Sequence, residues 1–143
     1  MSKLKHQVEI ASYGIYESWQ EKSKKLPKVK DFSTDVPAEI DVEFGMVVNF
    51  KKAKGEKIRY CINHPDIPNE DGEIMPPFDG EEYVGNNNWD FYLGDTIWAP
   101  IENKLGDWRM TIELKGKVVA EKTFNLYLEA ENNEVTFWKK RGY

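Results

Sequence analysis

The sequence has one cysteine, Cys61, so no intramolecular disulfide can form and the core alone must hold the fold. A lone cysteine reads first as a small buried hydrophobe and only second as a reactive thiol. Histidine is almost as scarce, with only His6 and His64. A catalytic zinc needs three protein ligands, and Cys61 and His64, three residues apart on one strand, would face opposite ways. Neither a zinc centre nor a cysteine–histidine nucleophile follows from them. No G-x-S-x-G, P-loop, H-E-x-x-H or dinucleotide fingerprint occurs. No apolar run approaches the ~18 residues of a membrane helix. The first seven residues lack the apolar stretch of a signal peptide. A cytoplasmic location is therefore the expectation, although a chain trimmed of a leader would read the same.

One stretch also lacks positive charge altogether. Residues 66–95 carry nine Asp/Glu and no Lys or Arg, while residues 1–60 balance at +3 and residues 96–143 at +1. The whole net charge of −5 thus resides in one Pro/Gly-rich region. An acidic chain is a poor match for nucleic acid, which is not expected as a partner.

What is present is a chain of 143 residues, long enough to bury one core. Hydrophobic residues are 40% and charged residues 31%, as in ordinary globular domains. Aromatics reach 13%, which favours pleated, half-buried surfaces. Residues 1–130 read as one domain. Residues 131–143 form a tail, either an added edge strand or disordered.

Alternation of apolar and polar residues sets out the strands. Val8-Glu9-Ile10 and Tyr13-Gly14-Ile15-Tyr16 read as a first strand. Residues 17–30 fit a short helix or a solvated loop equally well. From Val36 the pattern is β, with Ile40, Val42 and Phe44 inward and Glu39, Asp41 and Glu43 outward. Gly45 marks a bulge or a change of sheet before Met46–Phe50. Ile58, Tyr60 and Ile62 form the next strand, which stops at His64-Pro65. Residues 65–88 are read as a long irregular connection, a kind that is usually functional or mobile. Trp89, Phe91 and Leu93 then share a face, and 97–101 fits a short edge piece. Trp108, Met110, Ile112 and Leu114 begin a clear hairpin that turns at Lys115-Gly116. It returns with Phe124, Leu126 and Leu128 inward, and a bulge near Glu121-Lys122 would accommodate the out-of-phase Lys122. The total predicts an all-β fold, an immunoglobulin-like antiparallel β-sandwich of about seven strands. A small β-barrel is the alternative.

Several of these segments resemble a bacterial family known as domain of unknown function 3859. They are Tyr13-Gly14-Ile15-Tyr16, Pro37-Ala38-Glu39-Ile40 with Glu43-Phe44-Gly45, His64-Pro65, Gly94-Asp95 with Trp98-Ala99-Pro100, and Gly106-Asp107-Trp108. They span most of residues 13 to 124. The resemblance implies a sandwich-like fold and no assigned activity, so it carries over no catalytic residue.

Four candidate sites remain. Asp66, Asn69, Glu70, Asp71 and Glu73 offer oxygen ligands of the kind calcium prefers. An EF-hand register, however, would put Ile67 and Phe78 where carboxylates are required, so solvated loop acids are the plainer reading and no metal is expected. Asp79, Glu81 and Glu82 could be paired hydrolytic carboxylates, but adjacent Glu81 and Glu82 on an extended segment point opposite ways. Trp19 and Trp98, beside Tyr83 or Tyr92, could stack sugar rings or anchor a protein, with core packing as the plainer alternative. The tail holds Phe137 and Trp138 beside Lys139-Lys140-Arg141, opposite in charge to residues 66–95. It could pair with another chain or dock on the acidic region.

The functional expectation is a binding or interaction module without catalysis or cofactor, using the 66–88 region against a protein partner. A carbohydrate- or small-ligand-binding sandwich is the alternative, and a hydrolase of unrecognised type the third. The residues expected to carry binding are Asp66, Asp71, Asp79, Glu81, Glu82, Tyr83, Trp98 and Trp19.

Overall fold

The computed structural model describes residues 7–17 and 28–128. Among these described residues nine strands succeed one another: β1 (Gln7–Tyr16), β2 (Val29–Asp31), β3 (Asp35–Pro37), β4 (Glu43–Lys51), β5 (Lys57–Asn63), β6 (Phe78–Tyr83), β7 (Asn88–Thr96), β8 (Gly106–Leu114) and β9 (Lys117–Tyr127). They form a four-stranded sheet in the order β2-β1-β4-β7 and a five-stranded sheet in the order β3-β9-β8-β5-β6. All pairings are antiparallel except β3 with β9. The two sheets pack face to face and do not close into a barrel.

The inner faces hold the residues that alternation places there. Phe44, Met46, Val48 and Phe50 of β4 meet Ile58, Trp108, Met110, Ile112, Phe124 and Leu126 from the other sheet, all within one buried cluster. Trp108 is its centre, edge-on to Phe44 at 5.3 Å between ring centroids. Its indole N–H donates to the Lys104 carbonyl at 2.8 Å, so the only polar atom of that side chain is satisfied inside the core. Lys115 and Gly116 have φ of 53° and 80°, the pair of left-handed residues that a tight two-residue hairpin needs.

The alternation misleads where the chain changes sheet. β3 belongs to one sheet and β4 to the other, so residues 38–42 are a crossover rather than a strand. Ile40, expected inward, is therefore exposed, whereas Glu43 does face away from the core as expected but is covered there and only 5% exposed. Residues 97–101 are not a strand either. Ile97 plugs the core, and a turn of 3-10 helix, Glu102–Lys104, comes next. The register shift in β9 falls opposite Ile112/Glu113 rather than at Glu121-Lys122. Lys122 is in phase after all. It lies at the side of the sandwich with its ammonium 4.0 Å from the centroid of the Tyr13 ring, so its stem packs while its charge faces an aromatic.

β2 and β6 have no counterpart in the alternation reading. β6 lies inside the stretch read as irregular, which shortens that connection to residues 64–77. Its sequence, Phe78-Asp79-Gly80-Glu81-Glu82-Tyr83, has no apolar period because it is a sheet edge. Its outer side is held by ion pairs, Arg59 to Asp79 at 2.8 Å and Lys57 to Glu81 at 3.5 Å.

Candidate functional cleft between the β6 and β7 edges

β6 ends one sheet and β7 ends the other, so the sandwich stands open between them. The chain crosses from β6 to β7 through residues 84–87, and backbone bonds between Val84 and the 55–56 turn, in both directions, close that end of the opening. A cavity of about 690 Å³ occupies the rest and straddles the β7 edge. Tyr60, Ile62, Phe78, Phe91 and Leu93 line its inner side, with Glu82 and Asp95 among the acids on its wall. Tyr60 and Phe91 approach across the sheets at 5.5 Å. Gly80 makes this floor possible, because a Cβ there would stand 2.3 Å from the Tyr60 hydroxyl.

On the far side of β7 the cavity reaches a buried carboxylate. Glu43 accepts hydrogen bonds from the hydroxyl of Thr96, its cross-strand partner, and from that of Tyr92, further back on the same strand β7. The Tyr92 ring crosses Gly94, where a Cβ would lie 2.3 Å from the hydroxyl oxygen. Tyr16 packs edge-on against Tyr92 at 5.2 Å and shares a 2.7 Å hydrogen bond with Ser12. Burial, and then the charge of Glu43, push the Tyr92 phenol well above its ordinary range, so it stays a donor.

Asp95 sits one residue away on the inner side. Burial raises its carboxyl to about 6, helped by the Glu43 charge and opposed by the Thr96 N–H and by His64. A carboxyl poised near neutrality at the wall of a cavity is a recognised mark of a functional position. His64 holds the neighbouring loop. One ring nitrogen lies 2.6 Å from the Pro65 carbonyl oxygen and the other 2.9 Å from that of Pro76, while the ring packs 4.4 Å from Phe78.

The structure brings three of the sequence-derived candidates to this cleft. Glu82, Asp79 and Tyr92 line it, although Asp79 also pairs with Arg59. Glu81 and Tyr83 are exposed, Glu81 beside Lys57. Asp66 and Asp71 are exposed in the 64–77 loop. There the Asn69 side-chain oxygen accepts from the N–H of Asp71 and of Glu73, which turns the loop on itself. Trp98 is half-buried, and the Lys104 ammonium stands 4.3 Å from its ring centroid. Trp19 and the tail lie outside the described residues. Among the described residues no group of three His, Cys, Asp or Glu is placed to hold a metal ion, and no helix is long and apolar enough to cross a membrane.

Glu43, Tyr60, Phe91 and Asp95 are the site residues that alternation did not single out. Their trace in the sequence is the cross-strand pair Gly45 and Gly94, flanked by Glu43-Phe44 and Asp95. At Gly94 the Tyr92 side chain passes over the backbone, and at Gly45 a Cβ would meet the Leu93 and Gly94 backbone, the close approaches that glycine in a strand marks.

Two packed antiparallel sheets of this order define an immunoglobulin-like sandwich. The chain belongs to the family described as domain of unknown function 3859, whose model matches residues 4–126. An immunoglobulin-like protein from Pseudomonas aeruginosa, solved by crystallography, superposes with a TM-score of 0.67 at 21% identity, covering 85% of this chain and 97% of that one. A likeness at that identity speaks for the fold. An alkylpurine DNA glycosylase from Pseudomonas fluorescens, bound to DNA containing an abasic site analog, aligns at a TM-score of 0.39 and 12% identity, over 66% of this chain and 27% of that one. A similarity that loose carries no functional weight. No curated protein matches the chain.

Proposed function

We propose that the protein is a non-enzymatic binding module whose β6/β7 cleft takes an extended, lysine- or arginine-bearing segment of a protein partner. The observation that carries this reading is the coincidence, in one opening, of two sheet edges, an aromatic floor and acidic walls. An edge strand offers backbone N–H and C=O groups to an added strand. Tyr60, Phe78 and Phe91 offer ring faces to the stems and charges of cationic side chains. Glu82 and Asp95 supply the complementary charge, which contributes more to partner choice and encounter rate than to raw affinity.

The test is an NMR titration of the full chain with an alternating lysine–tyrosine pentapeptide, up to millimolar peptide. Amide shifts confined to Phe91, Leu93, Asp95 and β6 are expected. They should weaken in high salt and in the double variant Glu82→Gln, Asp95→Asn. Shifts scattered over the surface, equal shifts in the double variant, or a stronger response to an uncharged oligosaccharide would each overturn it.

A further inference from the structure

His64 follows β5 directly, and its ring joins the two ends of the 64–77 loop. Nδ1 lies 2.6 Å from the Pro65 carbonyl oxygen at the start of the loop, and Nε2 lies 2.9 Å from the Pro76 carbonyl oxygen at its end. Both partners are carbonyl oxygens, which only accept, so each bond needs a proton on the ring. A neutral imidazole carries one N–H and a doubly protonated one carries two. The two bonds therefore exist together only while the ring is charged. Histidine is the side chain whose charge ordinarily changes between about pH 5 and about pH 8.

The surroundings suit a cation. Phe78 of β6 lies 4.4 Å from the ring and Trp108 of β8 lies 5.9 Å from it, centroid to centroid. From β7, Asp95 supplies the carboxylate whose charge acts on His64, with Glu43 beyond it on β4. The charged neighbours of the two rings are committed elsewhere. Asp79 pairs with Arg59, Arg109 pairs with Glu121, and Asp107 accepts from Asn125. The loop's own acids, Asp66, Glu70, Asp71 and Glu73, are exposed.

What the ring holds is one wall of the cleft. Pro76-Pro77 leads straight into Phe78, the first residue of β6 and part of the cavity lining. Pro65 is set against β8, where a Cβ on Gly106 would stand 3.5 Å from its Cγ. Between these ends the loop closes on itself without His64. The Met75 N–H donates to the Ile67 carbonyl at 2.8 Å, and Ile67 is buried in the core. The loop thus keeps its turn in either state of the ring, and what His64 adds is the position of Pro76 and the start of β6. Loss of one proton would turn a bare nitrogen lone pair toward a carbonyl oxygen at either position, a repulsive contact in place of a bond.

We infer that His64 is a proton-operated latch on the β6 wall of the cleft, tying Pro76 to Pro65 when both ring nitrogens are protonated and loosening the junction of loop and strand when one proton leaves. The latch stands on this geometry, while its control over a partner rests on the cleft being a binding site, as proposed above. An incoming segment meets an ordered Phe78 wall only while the latch is closed.

NMR of the full chain tests it. His6→Gln leaves His64 as the single histidine of the sequence, so the ring signals have one source. Two ring N–H signals are expected at about pH 5 and one at about pH 8. Across that transition the Phe78 and Gly80 amides should lose about tenfold in protection from hydrogen exchange, after correction for the intrinsic pH dependence. His64→Gln, which has no ring proton to lose, should abolish the change while Asp95 still titrates. One ring N–H at the acidic end, β6 protection that ignores the ring transition, or an equal change in His64→Gln would each overturn the latch. The lysine–tyrosine peptide separates the two proposals. A peptide that binds while β6 protection ignores the ring sinks the latch and leaves the binding module standing. A latch that titrates as expected while the peptide binds at neither pH sinks the module and leaves the latch.

Discussion

The Tyr92 hydroxyl, on an edge strand, donates to the buried carboxylate of Glu43 on the neighbouring strand. The two are 49 residues apart in sequence, and the bond fastens β7 to β4 on the face turned away from the core. A carboxylate that is only 5% exposed survives because both hydroxyl donors, Tyr92 and Thr96, are aimed at it. Tyr92→Phe keeps the ring packing on Tyr16 and removes one donor. Leaving a buried charge half-satisfied costs more than an ordinary hydrogen bond, so urea unfolding should show a loss of about 1–3 kcal/mol. A loss within a few tenths would mean that water replaces the hydroxyl without cost.

Gly94 is what lets that bond form. A Cβ at this position would stand 2.3 Å from the Tyr92 hydroxyl oxygen and 2.5 Å from the Phe44 carbonyl oxygen. The first neighbour is on a side chain, but the second is backbone and cannot step aside. Gly94→Ala should therefore destabilise by about 1–3 kcal/mol. Combined with Tyr92→Phe the cost should shrink without vanishing, because the ring loses its tether to Glu43 and can shift, while a Cβ would still meet the Tyr92 ring carbon Cζ and the Phe44 carbonyl oxygen, each at 2.5 Å. Strict additivity of the two changes, measured by the same unfolding curves, would count against the shared geometry.

Lys104 gives a different kind of test. Its side chain is fully buried, donates to the Pro100 carbonyl at 2.9 Å and to the Asn103 side chain, and covers Trp98. Burial lowers its pKa below the ordinary lysine value. Lys104→Met keeps the stem and discards the desolvated charge, so at neutral pH it should cost about 1 kcal/mol or less. Lys104→Ala opens a cavity under Trp98 and should cost about 2–4 kcal/mol. The sign of the pH effect is set by the lowered pKa. The unfolded chain holds this proton more tightly, so the wild type should gain stability relative to Lys104→Met as pH rises towards 10.5. Equal losses for Met and Ala would show that the charge, and not the stem, is what the fold uses.

Much of the sandwich was legible because period-2 alternation is a direct imprint of a half-buried strand. β4, β5, β8 and β9 are read from Phe44–Phe50, Ile58–Ile62 and the Lys115-Gly116 hairpin. What alternation cannot carry is an edge. β6 has polar residues on both faces, because one face is held by Arg59 and Lys57 and the other borders the cleft, so it reads as loop. Crossovers fail for a related reason. Ile40 keeps the apparent phase of β4 but lies before the chain has reached its sheet, and phase says nothing of that. The cleft itself is a property of strand order. Glu43 and Asp95 come together only when β4 lies beside β7, a pairing no local pattern encodes. Of the acids in residues 66–95, only Asp79, Glu82 and Asp95 line the cavity.

Asp95 makes the cleft sensitive to pH in a direction that can be worked out. Its carboxyl titrates near 6 in the fold against an ordinary value of 3.8, so the folded state binds the proton more tightly than the unfolded chain does. The stabilising contribution is the protonated form. It is fully present below pH 3.8 and is lost as pH rises through 6. At neutral pH the chain therefore carries a charged, poorly solvated Asp95, and Asp95→Asn should relieve it while the amide oxygen still accepts the Thr96 N–H bond that Asp95 makes at 2.8 Å. Because the residue is partly open to solvent, the gain is smaller than a full conversion of the shift, about 1–2 kcal/mol at pH 7.5. It should fall to near zero at about pH 4, where both side chains are largely neutral in the fold. Urea unfolding of the two proteins across this range supplies the measurement. A pH-independent difference would place the cause in packing, and a gain that grew on acidification would mean that Asp95 is held charged by its neighbours rather than burdened by burial.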